Sequence, residues 1–245
     1  MADRSPSRGL QGTLVKLWRG GDYHLTVTGR SEIGPHYLRL HFDSGTLLDE
    51  RRVHPTMWVR GWFPDGARSH QRGYTLVNPD PGAGTVDIDF ATHGATRDGP
   101  ATRWATAARP GDVLEVTVLG SSFALPAPAP AGYVIVGDTA SLPAVNSLLD
   151  AIGDAPARVF LEAGHPEDRD LPVARTEGVT WVDRSGGAGD DGGLVEWVAA
   201  TAFDASDHFG WVACDNRTTR AVAKVLREQY AIPRRSMKAQ AYWAA

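Results

Sequence analysis

One cysteine, Cys214, stands among 245 residues, so no internal disulfide can form. A zinc site built on thiolates is excluded for the same reason. Cys214 lies in the apolar run WVAC and reads as a small buried hydrophobe. No stretch approaches the ~20 consecutive apolar residues needed to cross a bilayer. The opening MADRSPSRGLQG lacks the apolar middle of a secretory signal, so the expectation is a cytoplasmic protein without membrane insertion. Excess positive charge is missing too: 25 Lys and Arg face 29 Asp and Glu, a net charge of −4, which excludes a general nucleic-acid binder. The G-x-G-x-x-G fingerprint of a standard dinucleotide fold is absent, as is any convincing acid–base pair or nucleophilic triad.

What is present divides in two. Alternating apolar and polar residues over LTVTGRSEIGPHYLRLHFD (25–43), broken by Gly-Pro, predict a hairpin. MWVRGWF, GYTLV, TVDIDFATHG and DVLEVTVLG follow as further strands between Pro, Gly and Asp punctuation. The Ala-rich stretch between Pro100 and Pro110 reads as one helix among them. Short strands at this spacing predict an antiparallel, six-stranded β-barrel or a sandwich over 10–128. After the Pro/Ala stretch LPAPAPAG the pattern changes. GYVIVGD, ARVFLEA, VTWVD and FGWVACD are strands, and MKAQAYW closes as a last one. TASLPAVNSLLDAIG, LVEWVAATAF and RTTRAVAKVLREQY are helices between them. Strands alternating with helices predict an α/β domain with a mostly parallel sheet over 132–245. In its first helix Ser141 is the expected cap, Pro143 suits the first turn and Gly153 the end. SGGAGDDGG (185–193) reads as a loop whose aspartates make it a poor phosphate cradle.

Several short motifs could carry chemistry. In RGYT, Arg72 and Tyr74 share one strand face. The arginine suits a phosphate and the tyrosine a flat ring, while Thr75 offers a hydroxyl. His93 ends DFATHG. GPATRWA starts a helix whose free N–H groups and Thr102 form a candidate anion site. VIVGDTASLPA is a strand-turn-helix, the place where α/β sheets bind nucleotides. There Asp138 would repel a pyrophosphate but could bond a ribose or an amide. From Asp215 onward seven basic residues face two acidic ones, a net charge of +5 that leaves −9 on the rest. Arg217, Arg220, Lys224 and Arg227 fall on one side of a helix; the stripe reads either as a solvated face or as part of an anion site with Arg234, Arg235 and Lys238.

In the order RGYT, DIDFATHG, GPATRWATAARPGD, GDTASLPA, AYW, these pieces resemble the siderophore-interacting protein family, from about Leu25 to Trp243. The resemblance implies a flavin barrel followed by a reduced NAD(P)H-binding domain, as in the ferredoxin-reductase architecture. It implies FAD as cofactor, NADH, NADPH or a ferredoxin as electron donor, and a ferric siderophore as the substrate that is reduced. Arg72, Tyr74 and Thr75 are thereby given to FAD, with Tyr74 on or beside the isoalloxazine. His93 and the turn Gly99, Pro100, Ala101 and Thr102 complete that site. Gly137, Asp138 and Ser141 fall to the nicotinamide side and Trp243 near the flavin. Lys238, Arg217 and Arg220 fall to the anionic siderophore. No catalytic side chain and no resident metal is implied. The chain departs from the family pattern at LVN (76–78), where a second arginine is usual, and at Thr139, where an acidic residue is frequent. A general flavin reductase with another acceptor, and a ferric-siderophore carrier without catalysis, are the alternatives.

Overall fold

The computed structural model describes residues 21–92, 99–184 and 192–243. The chain divides into two compact units, Met1–Phe123 and Ala124–Ala245. In the first, seven strands form one antiparallel sheet: β1 (Gly21–Gly34), β2 (Tyr37–Asp43), β3 (Trp58–Asp65), β4 (Arg68–Thr75), β5 (Val77–Asp80), β6 (Thr85–Ala91) and β7 (Val113–Val118). Their order is β4-β3-β7-β1-β2-β6-β5. The alternation legible in the sequence decides the faces. Leu38, Leu40 and Phe42 of β2 are buried inward with Val59 and Phe63 of β3 and Ile88 and Phe90 of β6. β4 and β6 stand far apart in the strand order, yet the Tyr74 and Phe90 rings lie 4.5 Å apart between centroids, so the sheet curls upon itself. Two short helices accompany it, α1 (Leu47–Glu50) and α2 (Pro100–Ala107). α2 packs Ala101, Ala105 and Trp104 onto the same core.

The expected count of six strands becomes seven. The additional strand, β5, is the short Val77–Asp80 segment at the sheet edge, with Asn78 at a φ of 46° and Pro79 inside it. Its Asn-Pro-Asp-Pro run looks like turn punctuation, and only an edge position tolerates a proline there.

The second unit is a five-stranded parallel sheet: β8 (Tyr133–Asp138), β9 (Ala157–Ala163), β10 (Val179–Asp183), β11 (Phe209–Ala213) and β12 (Met237–Ala239). The order is β10-β9-β8-β11-β12. The chain moves outward from β8 to β10, then returns to the other side of β8, which makes the β8–β11 boundary the switch point of the sheet. α3 (Leu142–Ile152) covers the face that Gly137 and Leu161 share. A methyl group at Gly137 would lie 2.5 Å from Ser141 Oγ and 3.1 Å from Val145, so this strand admits α3 only because it has no side chain there. α4 (Gly192–Ala200) and α5 (Asn216–Glu228) cover the opposite face through Leu194, Val198, Val222 and Leu226. Gly153 ends α3 with a φ of 56°, as expected. Most of SGGAGDDGG lies outside the described residues.

On the outer face of β2 and β6, Arg39 donates from Nε and Nη2 to the two oxygens of Asp89 at 2.7 and 2.9 Å. Both side chains are largely buried. Breaking such a pair from one side leaves a charge without water or partner. Arg39→Met should therefore cost roughly 3 kcal/mol in urea unfolding, and Arg39→Met with Asp89→Leu should regain most of it. A double variant no more stable than the single one would show that the unpaired carboxylate is not the source of the loss.

Candidate functional site

RGYT lies at the end of β4, an edge strand that pairs with β3. Tyr74 stands opposite Val59 and Arg72 opposite Gly61, so both occupy the inward face. The Tyr74 ring meets Phe63 edge-on at 5.6 Å and tilts against Phe90, and burial raises its phenol pKa. Arg72 is exposed, with Nη1 donating to the carbonyl of Gln71 at 2.7 Å. Thr75 is opposite Trp58 on the other face and is 5% exposed. Its Oγ1 is buried with no hydrogen-bond partner among the described residues. A buried hydroxyl left unmatched is costly and calls for an explanation, as do Ser44 Oγ and Gln71 Nε2, buried and unmatched in the same unit. Gly73 is covered by the indole of Trp58, over which Arg60 stacks at 4.9 Å.

α2 begins at Gly99 with Pro100 in its first turn, and no side chain caps it. Among the described residues nothing lies within 4 Å of the position where a Gly99 side chain would stand. Ala101 and Thr102 are buried against the barrel at this helix start. An uncapped N-terminus with a bare approach is a fitting place for a phosphate. These residues fit a flavin: a buried unmatched hydroxyl for a ring atom, an exposed arginine and an open helix start for phosphates. His93 lies outside the described residues.

In the second unit, Gly137, Asp138 and Ser141 form the turn at the carboxyl end of β8. Ser141 occupies the expected cap position of α3, but its hydroxyl does not cap the helix. It instead accepts the Asp138 N–H at 2.9 Å and donates to the Asp138 carbonyl at 3.1 Å, closing the turn on itself. Asp138 is buried, and both carboxylate oxygens are engaged. Oδ1 accepts the Ser141 N–H at 3.0 Å, and Oδ2 accepts the Trp243 indole N–H at 2.7 Å. Beside it in the sheet register stands Glu162, bound to the guanidinium of Arg184. Burial raises both carboxyl pKa values, against the pull of their hydrogen-bond donors. Asp215, after β11, caps α5 by accepting the N–H groups of Arg217 and Thr218 at 2.7 and 3.1 Å. Burial opposes its ionisation, but those donors outweigh it and hold the carboxyl below its usual range. Burial raises the Cys214 thiol well above its ordinary value, so this cysteine stays an unreactive thiol.

The Asp215 cap was legible as an aspartate directly before a helical pattern. The Glu162–Arg184 pair was not, since nothing local joins residues 22 positions apart.

The siderophore candidates do not form one patch. Met237 packs with Val212 and Leu226 on the α5 face. Its neighbour Lys238 pairs in register with Trp211 and so lies on the opposite, α3 face. Arg217 and Arg220 are exposed on α5 itself, as are Lys224 and Arg227, and Lys224 approaches Glu228 at 3.9 Å.

The buried Asp138 gives a pH signature. Its raised pKa means that the native state keeps the proton to higher pH than the unfolded chain does, so this contribution is complete below the unfolded pKa and is lost as pH rises through the folded one. Asp138→Asn removes that loss. The Tm of the variant relative to the wild type should therefore rise steadily from about pH 4 upward. A difference that stays level with pH would assign the titration to another group.

The siderophore-interacting protein family model matches residues 130–245, and that of the siderophore-interacting FAD-binding domain matches residues 28–120. The chain is 36% identical over 244 residues to the mycobactin import ATP-binding/permease protein IrtA of Mycolicibacterium smegmatis, covering 97% of this chain and 27% of that one. It thus spans about a quarter of the length of the first curated relatives it matches. It is 29% identical over 181 residues to the ferric vibriobactin reductase ViuB of Vibrio cholerae, covering 70% of this chain and 64% of that protein. A siderophore utilization protein from T. fusca superposes with a TM-score of 0.78 at 23% identity, covering 92% of this chain and 93% of that one. The ferredoxin reductase of carbazole 1,9a-dioxygenase does so with 0.71 at 15% identity, over 91% and 70%. These two share the fold. With both family models matched in order along a ferredoxin-reductase-like fold, the chain belongs to the siderophore-interacting protein family.

Proposed function

We propose that the chain is an FAD-dependent ferric-siderophore reductase that takes electrons from NADH, NADPH or a reduced ferredoxin and releases iron in the cytoplasm. The observation that carries this reading is the buried Thr75 hydroxyl without a partner, in the RGYT strand of a domain that matches a siderophore-interacting FAD-binding model. The relative that reduces ferric vibriobactin, by its name, supports the same acceptor class. When bound, FAD supplies the chemistry that accepts a hydride and passes electrons on singly. The side chains bind and orient. Tyr74 is held by Phe63 and Phe90 in one place against the barrel, Arg72 and the start of α2 meet phosphates, and Thr75 meets a polar ring atom. Gly137, Asp138 and Ser141 form the turn that a nicotinamide donor would approach. Lys238, or Arg217 with Arg220, would meet an anionic siderophore. Hard oxygen ligands hold Fe(III) better than Fe(II), so reduction loosens the substrate.

A second reading, a ferric-siderophore carrier without catalysis, is favoured by the acidic edge of the second sheet. Asp138, Glu162 and Asp215 stand there with Arg184, a poor reception for a pyrophosphate.

An anaerobic visible spectrum of the FAD-loaded protein separates these readings. NADH or NADPH should bleach the flavin band, and a ferric siderophore should restore it as ferrous iron appears. A band that stays unbleached with either nucleotide but is bleached by reduced ferredoxin fixes the donor. A protein that retains no flavin would sink the reductase reading. Thr75→Val, close in shape but without the hydroxyl, should weaken FAD binding about five- to ten-fold, the effect of one hydrogen bond, without lowering the Tm of the FAD-free protein. Equal affinity would remove Thr75 from the site.

A further inference from the structure

The outer face of the barrel carries polar side chains that the reductase reading does not use. β2 turns Leu38, Leu40 and Phe42 into the core, so Arg39 and His41 point outward. Asp87 and Asp89 of β6 do the same, between the core residues Val86, Ile88 and Phe90. β1 joins this face through an irregularity. Its Tyr23, Leu25 and Val27 are in the core, and an unbroken strand would put Ser31 inside with them. Instead Val27 and Gly29 stand opposite the consecutive residues Phe42 and His41, so Thr28 is one residue too many and the parity reverses. Gly29 then faces His41, and Ser31 faces Arg39, on the outer side. β5 is irregular as well: its register shifts between Val77 and Asp80, and Asn78 has a φ of 46°, a left-handed value that asparagine tolerates. Bulges re-aim side chains and gather beside active sites.

The two irregularities deliver the two ends of one hydrogen-bonded chain. Ser31 Oγ lies 2.8 Å from His41 Nε2, and His41 Nδ1 lies 2.7 Å from Asp87 Oδ1. Asn78 Nδ2 donates to Asp87 Oδ2 at 3.0 Å. A carboxylate only accepts, so in the neutral imidazole Nδ1 carries the proton and Nε2 turns its lone pair to the serine hydroxyl. Arg39, opposite Ser31, is drawn the other way to Asp89. The His41 side chain is 37% exposed and that of Asp87 16%, so solvent reaches the base while its carboxylate is shielded. Nothing local announces this chain, whose members stand 10 and 46 positions apart. We propose that Ser31, His41 and Asp87 form a second active site, which hydrolyses small carboxylic esters. His41 Nε2 takes the hydroxyl proton as Ser31 Oγ bonds to the acyl carbon, and the ester C–O bond breaks. The leaving group takes the proton where it needs one. Water then attacks the acyl-serine with His41 again as base, the acid departs and Ser31 is protonated once more. Asp87, held by Asn78, positions His41. A sheet face grips a substrate weakly, so the class that fits is an ester with a good leaving group, which needs little holding. The site contains none of the residues given to FAD, to the electron donor or to the siderophore.

The test gives p-nitrophenyl acetate to the whole chain as wild type, Ser31→Ala, His41→Gln and Asp87→Asn. Release of p-nitrophenolate is followed by absorbance, and acid-quenched protein is searched by mass spectrometry for an acetyl group on Ser31. The wild type should show both. Ser31→Ala and His41→Gln should each lower the protein-dependent rate at least about a hundred-fold, the effect of losing a nucleophile or its base. In Asp87→Asn, Asn78 keeps donating to the amide oxygen, so the amide nitrogen faces His41 and the ring proton moves to Nε2. The rate should fall about as far, and the ring 15N shifts of His41 should report the exchanged tautomer, which a merely structural role would not produce. Should Asp87→Asn not fold, Ser31→Ala, which removes one hydroxyl, carries the test. A wild-type rate no higher than that of Ser31→Ala overturns the inference. So does an acetyl group found only on other residues, or a rate lost in Ser31→Ala but kept in His41→Gln. Flavin content and reduction of a ferric siderophore should be the same in Ser31→Ala as in the wild type, whether or not the reductase reading holds. A variant that loses its flavin along with its hydrolysis would tie Ser31 to the flavin and overturn the second site.

Discussion

A carboxylate taken wholly out of water must find its donors in the protein, and the second unit is organised around one that has done so. Asp138 sits at the end of the central strand, where a parallel sheet offers no further backbone partner. Its two oxygens draw in the Ser141 N–H from the turn that launches α3 and the indole of Trp243 from the segment after β12. One side chain thus joins the first strand of the domain to the last. Gly137 belongs to the same constraint. The turn closes tightly only because α3 approaches the strand where no side chain stands. Ser141, spent on that turn, leaves the helix start without a side-chain cap, while Asp215 caps α5 in full. The sheet therefore spends its polar groups on itself at the edge where an α/β domain ordinarily receives a ligand.

The barrel behaves in the opposite way. Its interior is packed, with Tyr74, Phe63, Phe90 and Trp104 in edge-on and tilted contact. Its outer face is laced by charge pairs and by the hydrogen bond from Trp62 to Thr117, which in turn donates to Asp22. Against that background the unmatched hydroxyl of Thr75 and the uncapped start of α2 stand out. Both lie within the residues matched by the siderophore-interacting FAD-binding model. Ser44 Oγ and Gln71 Nε2 are buried and unmatched in the same unit too, so it is this placement and not rarity that points Thr75 toward a ligand.

Most of the architecture was legible in the sequence because it depends on local rules. Alternation placed the barrel strands, and the change of period after LPAPAPAG marked the second unit. Gly153 ended its helix where a left-handed residue was needed. The seventh strand escaped, since four residues with a central proline carry no strand signal and form one only beside β6. The site was legible as an order of motifs, but its internal bonding was not. No pattern announces that Ser141 prefers its turn to its helix, or that Trp243 reaches a residue 105 positions earlier. Such choices are made by burial and by which donors are near, and those appear only after the sheet has closed.

The basic segment after Asp215 carries this point furthest. Counted along the chain it is one feature of net charge +5. Folding splits it across a sheet. Arg217, Arg220, Lys224 and Arg227 ride on α5, whose apolar side is packed against Val212 and Met237. Lys238 emerges on the other face, in register with Trp211, whose ring meets Tyr242 edge-on at 6.2 Å. A compact anion seated on one of these faces is shielded from the other by the thickness of the sheet. The two groups are then separate attractions with different neighbours: an arginine-rich helix surface on one side, and a single lysine in register with Trp211 on the other. Trp211 is itself buried, so what Lys238 offers to the outside on that face is its charge and not a ring.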